Sequence, residues 1–191
     1  MKMKEGPGKV TKTETKSAPK SARSTRKMNP TKNELTPEIR EQMVTLLNTR
    51  LADSLDMLTQ TKQAHWNVKG INFIALHELF DELATILYEH TDSIAERAVM
   101  LGGQAYGTAR CAAASSTLKE YPLDISYGQE HVQALASQLA AFGQNLHASQ
   151  DEADEANDQD TVDLFTDISR DVDKYTWFVE AHLQNSDNPV K

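Results

Sequence analysis

Residues 72–101 read NFIALHELFDELATILYEHTDSIAERAVML, and the spacing inside this stretch decides the fold. Leu79, Leu83, Ile86, Leu87, Ile94 and Leu101 recur at helical intervals. At about 100° per residue they centre near 230° when His77 is set to zero. Asp81, Asp92 and Glu96 then fall at about 40°, 60° and 100° on the same wheel. Four metal-competent side chains thus share one face of a helix, and that face is turned away from the apolar stripe. The pairs His77/Asp81 and Asp92/Glu96 are also far apart, with about 16 Å of helix between Asp81 and Asp92. Ligands to one ion lie about 2 Å from it, so one chain cannot close both pairs on a single metal. A second, antiparallel copy would, because a two-fold axis near Ile86 and Leu87 lays each His77/Asp81 beside the other chain's Asp92/Glu96. Ala84, Tyr88, Ala95 and Val99 supply the ligand face with a second apolar strip for that contact.

The rest of the chain is arranged around this helix. Thr36-Pro37 is a helix start, a capping hydroxyl followed by proline at the first helical position. Ile39, Met43, Leu46, Leu47, Leu55 and Leu58 carry that helix to about Trp66, and Met57 fits the same period. Gly70 breaks the chain before the second helix, and Gly102-Gly103 ends it. Residues 104–123, rich in Ala, Ser and Thr, show no long period and read as a crossover holding at most a short helix. A third helix is expected over 124–150 on Val132, Leu135, Leu139, Phe142 and Leu146. A fourth is expected over 158–183 on Phe165, Ile168, Val172, Tyr175 and Val179, with Trp177 in the core. Short, long and short connections predict an all-α four-helix bundle with one long crossover, the ferritin-like arrangement.

Composition supports a helical protein with polar inner and outer surfaces: 39 % of the 191 residues are hydrophobic and 6 % aromatic. No apolar run reaches the roughly 20 residues that span a bilayer, and no signal-peptide pattern opens the chain. Cys111, the lone cysteine, excludes an intrachain disulfide and reads as a small filler. The net charge of −8 conceals a division. Residues 1–32 carry ten Lys/Arg against Glu5 and Glu14, whereas residues 33–191 carry ten against 26 acids. A +8 arm is therefore attached to a −16 body. The expected organisation is a disordered basic arm over 1–34, a bundle over 35–185 and a short tail over 186–191.

No Glu-x-x-His pair of the kind that builds a buried di-iron site occurs anywhere in the chain. What stands instead is Lys62-Gln63-Ala64-His65-Trp66-Asn67, then the run from Asn72 to Asp81, then Asp92-Ser93-Ile94-Ala95-Glu96-Arg97-Ala98. These strings closely resemble the Dps family, the DNA-binding proteins from starved cells, over residues 35–185. The resemblance implies a mini-ferritin, a hollow homododecamer that oxidises Fe(II) at two-fold interfaces and stores ferric mineral; peroxide is the expected oxidant, with dioxygen as the alternative. It implies that one chain supplies His65, His77 and Asp81 and its neighbour Asp92 and Glu96; all five positions match. Carboxylates and imidazoles suit iron, and zinc fits the same donors as a substitute. Trp66 lies beside the oxidation site in the resemblance and either intercepts radicals or packs at the interface.

Two charged segments remain. The acids Asp151, Glu152, Asp154, Glu155, Asp158, Asp160 and Asp163 are a solvated, dipole-stabilised helix junction, or, as the resemblance implies, they line pores that draw in Fe(II). The arm, with Lys9, Lys12, Lys16, Lys20, Arg23, Arg26 and Lys27, reads as a binder of duplex DNA without sequence preference. A solubility tail and an organellar transit peptide are its other readings, the last disfavoured because Lys outnumbers Arg. The functional expectation is a cytoplasmic, nucleoid-associated ferroxidase and iron store that protects DNA. Its alternative is mainly a structural nucleoid protein that coats DNA with minor iron oxidation, and a third reading is an acidic helical scaffold without metal.

Overall fold

The computed structural model describes residues 28–184. They form α1 (Pro37–Asn67), α2 (Phe73–Met100), α3 (Ala109–Ser115), α4 (Gly128–Glu155) and α5 (Gln159–Glu180). Among the described residues there is no strand, only an isolated bridge between Lys69 and Tyr127. α1 and α2 pack as one hairpin and α4 and α5 as another. The crossover over residues 101–127, with α3 inside it, joins the two. This is the expected four-helix bundle.

Local chemistry sets most of the boundaries. The Thr36 hydroxyl accepts from the Ile39 N–H and Pro37 opens α1, as the sequence predicts. At the end of α2, Gly102 has φ +88°, and a side chain there would come within 2.5 Å of the Asn29 carbonyl oxygen. That close approach serves a tether, since the Asn29 N–H donates to the Gly102 carbonyl at 2.7 Å. Arg40 Nη1 donates to the neighbouring Leu101 carbonyl. The segment leading into α1 is thereby held on the last turn of α2.

The third helix runs four residues later than the sequence suggests at its start and five later at its end. The Glu130 carboxylate accepts from the Ser126 and Tyr127 N–H groups, so residues 124–127 are a cap rather than helix. Those same backbone bonds hold the Glu130 carboxyl below its usual range. Downstream, Ala153 sits seven residues past Leu146 and is fully buried, continuing the stripe with a residue too small to register as core.

Phe80, Phe142, Phe165, Met43, Met57 and Leu135 are among the fully buried side chains. Each contributes about 1.5–3 kcal/mol relative to exposure. The stripes expected for α4 and α5 are all buried. That of α2 is displaced. Its buried positions are Leu76, Phe80, Leu83, Ala84, Leu87, Thr91, Ile94 and Ala98, followed by Leu101, and they centre near 280° rather than about 230°. Leu79 and Ile86 are only half-buried at the shoulder. Ala84, assigned to the outward strip, is 4 % exposed and belongs to the chain's own core. Trp177 is also corrected: it is 62 % exposed, because two residues from Tyr175 it points to the opposite side of α5.

The crossover lacks a period because polar side chains hold it. Asn48 donates to the Gln104 carbonyl and accepts from the Tyr106 N–H. Asp53, wholly buried, accepts from the Thr117 N–H and hydroxyl and from Asn145, and pairs with Arg50 at 3.2 Å. Ser116 donates to Asp56, and Gln60 to the Lys119 carbonyl. One face of α1 thus satisfies backbone groups that a buried loop would otherwise leave unpaired.

Candidate metal centre

The α1–α2 hairpin brings His65, in the last turn of α1, against His77, in the second turn of α2. Their rings stack at 3.7 Å with 21° between the planes, and Phe73 flanks His77 at 5.2 Å. His65 Nδ1 lies 2.9 Å from the His77 carbonyl oxygen, and His77 Nδ1 lies 2.9 Å from the His65 carbonyl oxygen. A carbonyl only accepts, so both Nδ1 atoms carry the donated proton. The lone pair of each neutral ring is therefore on Nε2, the arrangement that prepares an imidazole as a metal ligand.

Asp81 stands beside them. Its Oδ1 is 3.8 Å from His65 Nε2 and 2.8 Å from Lys62 Nζ. The Lys62 hydrogen bond, then its charge, holds the Asp81 carboxyl below the usual range, with smaller contributions from His65 and His77. The carboxylate is thus ionised at neutral pH and already shared with a cation. Sequence reasoning missed Lys62 as a member of the site. Its place three residues before His65, one helical turn away on the same face, is the signal that was available.

Asp92 and Glu96 are exposed and lie at the far end of unbroken α2. Among the described residues neither side chain has a hydrogen-bond or ion-pair partner. Glu96 edges an apolar depression formed with Ala95, Val99, Met100 and Ala105. The structure brings together His65, His77 and Asp81, and leaves Asp92 and Glu96 apart from them. Among the described residues no three His, Cys, Asp or Glu side chains are grouped to hold a metal within one chain.

The junction acids divide. Asp158 is a correction: at 3 % exposed it caps α5, accepting from the Thr161 N–H and hydroxyl, and pairs with Arg97 of α2. It faces no pore. Asp160 also meets Arg97, Asp154 accepts from Gln159 and Glu152 from Gln42. Asp151, Glu155 and Asp163 are exposed. Trp66 is exposed beside His65, with Lys62 Nζ 5.9 Å from its ring centre. Lys9, Lys12, Lys16, Lys20, Arg23, Arg26 and Lys27 lie outside the described residues.

With this geometry in view, the chain matches the ferritin-like domain over residues 44–188. It is 44 % identical over 158 residues to the DNA protection during starvation protein of Agrobacterium fabrum, a match that covers 83 % of this chain and 98 % of that one. The chain belongs to the Dps family. Solved Dps structures agree. DpsA14 from Streptomyces coelicolor superposes with a TM-score of 0.80 at 30 % identity, covering 86 % of this chain and 98 % of the other. Dps from Microbacterium arborescens, in a form described as high iron, gives 0.72 at 33 % identity over 78 % and 96 %. No described helix of the Dps chain is long and apolar enough to cross a membrane.

Lys62 competes with any cation for Asp81. Removing it in Lys62→Met should tighten binding of Zn(II), used as a redox-silent probe, by up to about fivefold, the upper end for a surface ion pair. Competition against a chromophoric chelator would read this. Weaker binding would mean that Lys62 orients Asp81 rather than occupying it.

Proposed function

We propose that the protein is a ferroxidase and iron store whose oxidation site is shared between two antiparallel α2 helices. His65, His77 and Asp81 of one chain and Asp92 and Glu96 of its neighbour bind Fe(II) as substrate. Peroxide is the oxidant, and ferric mineral collects inside a shell of twelve chains. Consumption of peroxide and Fe(II) together limits hydroxyl-radical damage to nearby DNA.

The observation that carries this reading is the reciprocal tie of the two imidazoles. Each Nδ1 is held by the other residue's carbonyl, and Nε2 of His65 is turned toward an ionised carboxylate. The unpartnered Asp92 and Glu96 fit the second half, since their distances from the Ile86–Leu87 step equal those of Asp81 and His77. With Ala84 inside the chain, the contacting strip reduces to Tyr88, Ala95 and Val99. Exposed acids at the α4–α5 junction, without Asp158, are left to attract Fe(II). The arm adds sequence-independent DNA binding, which places the protein at the nucleoid. The Agrobacterium relative is named for DNA protection, and the Microbacterium Dps was solved in a form described as high iron; both support this reading.

The test is anaerobic loading with Fe(II) followed by peroxide, with near-ultraviolet absorbance recording ferric product. Asp81→Ala, at an exposed position, should slow the initial rate at least about tenfold, equivalent to 1.4 kcal/mol. An unchanged rate would remove Asp81 from the site. A nucleoid coat without oxidation would give DNA retardation and no ferric signal in the unaltered protein.

A further inference from the structure

Tyr121 and His131 form a sealed pair that none of the chemistry above uses. Tyr121, in the crossover, is 6 % exposed, and His131, in the first turns of α4, is 1 % exposed. The phenol oxygen lies 2.6 Å from His131 Nδ1 and the rings are near-parallel at 13°. His131 Nε2 is buried without a hydrogen bond of normal geometry, although the Asn67 backbone acts on the ring. Two apolar rings would fill this space without burying an unsatisfied nitrogen.

The electrostatics point one way. Burial pushes the Tyr121 phenol well above its usual range, so it does not ionise in ordinary acid–base chemistry. Burial lowers the His131 pKa, which keeps the ring neutral and able to accept a proton. Against burial, the Glu130 charge and the Asn67 backbone favour the protonated ring. A phenol becomes strongly acidic once it loses an electron, and a base in hydrogen-bond contact takes the proton in the same step. Such a pair holds a proton acceptor ready for an electron that leaves.

Trp66 and Tyr121 border the same cleft, of about 580 Å³. Trp66 follows His65 in the chain and is 68 % exposed. Asp56, Gln63 and Leu118 are among its other walls. We infer that Tyr121, with His131 as its proton acceptor, is a one-electron reservoir that re-reduces Trp66 after the indole is oxidised. The inference rests on the proposed function for the source of the oxidant, a hydroxyl radical formed from Fe(II) and peroxide. That radical takes one electron from the Trp66 indole and, with a proton from solvent, leaves as water. Tyr121 then passes one electron to the indole cation and its phenolic proton to His131 Nδ1. The products are a neutral indole, a neutral phenoxyl radical and an imidazolium. A one-electron reductant from solution restores the phenol, and His131 returns the proton.

The test uses the metal-free full chain, so it stands apart from iron oxidation. Photoexcited ruthenium tris-bipyridine with persulfate serves as the one-electron oxidant, and samples frozen after the flash are read by electron paramagnetic resonance. The unaltered protein should give a neutral tyrosyl signal. Tyr121→Phe should remove at least half of it and leave a tryptophan-derived radical in its place. His131→Gln, which keeps the phenol, and Trp66→Phe, at an exposed position, should each lower the Tyr121-dependent part at least fivefold. The inference is overturned if Tyr121→Phe leaves the tyrosyl signal intact, or if either of the other variants leaves the Tyr121-dependent part unchanged. Where a substitution in the sealed pair impairs folding, Trp66→Phe is read on the total tyrosyl signal, which should fall, and an unchanged signal overturns the inference. Should the radicals form as described while the unaltered protein gives no ferric signal with Fe(II) and peroxide, the ferroxidase reading fails and the relay stands.

Discussion

His77→Ala and Glu96→Ala, each impaired alone, should restore iron oxidation to one another when their dimers are exchanged. The two residues are about 28 Å apart along α2, too far to serve one ion within a chain. An isologous antiparallel contact about the Ile86–Leu87 step joins His77 of each chain to Glu96 of the other. In a mixed dimer, one site then carries both defects and the other carries neither. Equal mixing with random re-pairing makes half the dimers mixed, so about one quarter of all sites become intact. Either mutant alone should fall at least about a hundredfold, a loss of roughly 2.7 kcal/mol in transition-state stabilisation. The recovered rate would therefore stand far above both parents. Dissociation and reassembly, with mass-tagged chains to confirm mixed dimers, provide the measurement. Confirmed mixed dimers with no recovery would put the two residues in separate sites.

Deleting residues 1–27 should abolish retardation of duplex DNA and leave both shell size and iron oxidation unchanged. This cut removes nine of the ten cations of residues 1–32 and keeps Asn29, whose N–H is bonded to Gly102. The acidic body repels phosphate, so binding requires the arm. Each neutralised phosphate contributes about −0.9 to the slope of log K against log salt, which sets a ceiling near −8 for one arm. Several arms on one duplex steepen that slope and add avidity. Affinity should fall at least about a hundredfold on deletion at low salt, with no preference among sequences, since the arm has nothing shaped to read base edges. Titrations at several salt concentrations would decide it. Retardation by the truncated chain at moderate salt would move the DNA site to the body.

The helices were legible wherever the apolar residues were large. Phe165, Ile168, Val172 and Val179 mark the buried stripe of α5 without help from anything else. On α2 the stripe read from Leu79 and Ile86 was turned by about 50°, because Ala84, Thr91 and Ala98 are too small or too polar to be counted. The crossover was legible as a connection with a short helix, but not in what holds it in place. Asn48, Asp53, Asp56 and Gln60 resemble a solvated face in sequence, and only the packed loop shows that they bind its backbone and hydroxyl groups. Within the site, the residue types and their common face were visible at once. The exchange of hydrogen bonds between His65 and His77 was not, since it depends on the turn at Gly70 and on carbonyls that every residue has. Asp158 shows the converse: one acid among seven looks alike in sequence, and burial against Arg97 gives it another task.

The tether between Asn29 and Gly102 also fixes where each basic arm departs. In the proposed antiparallel dimer the two Gly102 positions are about 45 Å apart along the paired helices. One turn of duplex occupies about 34–36 Å. Two arms rooted that far apart start from separate points on the particle, and with a reach of up to about 90 Å each can take its own length of nucleic acid. A particle studded with such separated grips would behave as a multivalent cross-linker. Long DNA mixed with it should gather into dense aggregates that disperse when salt is raised.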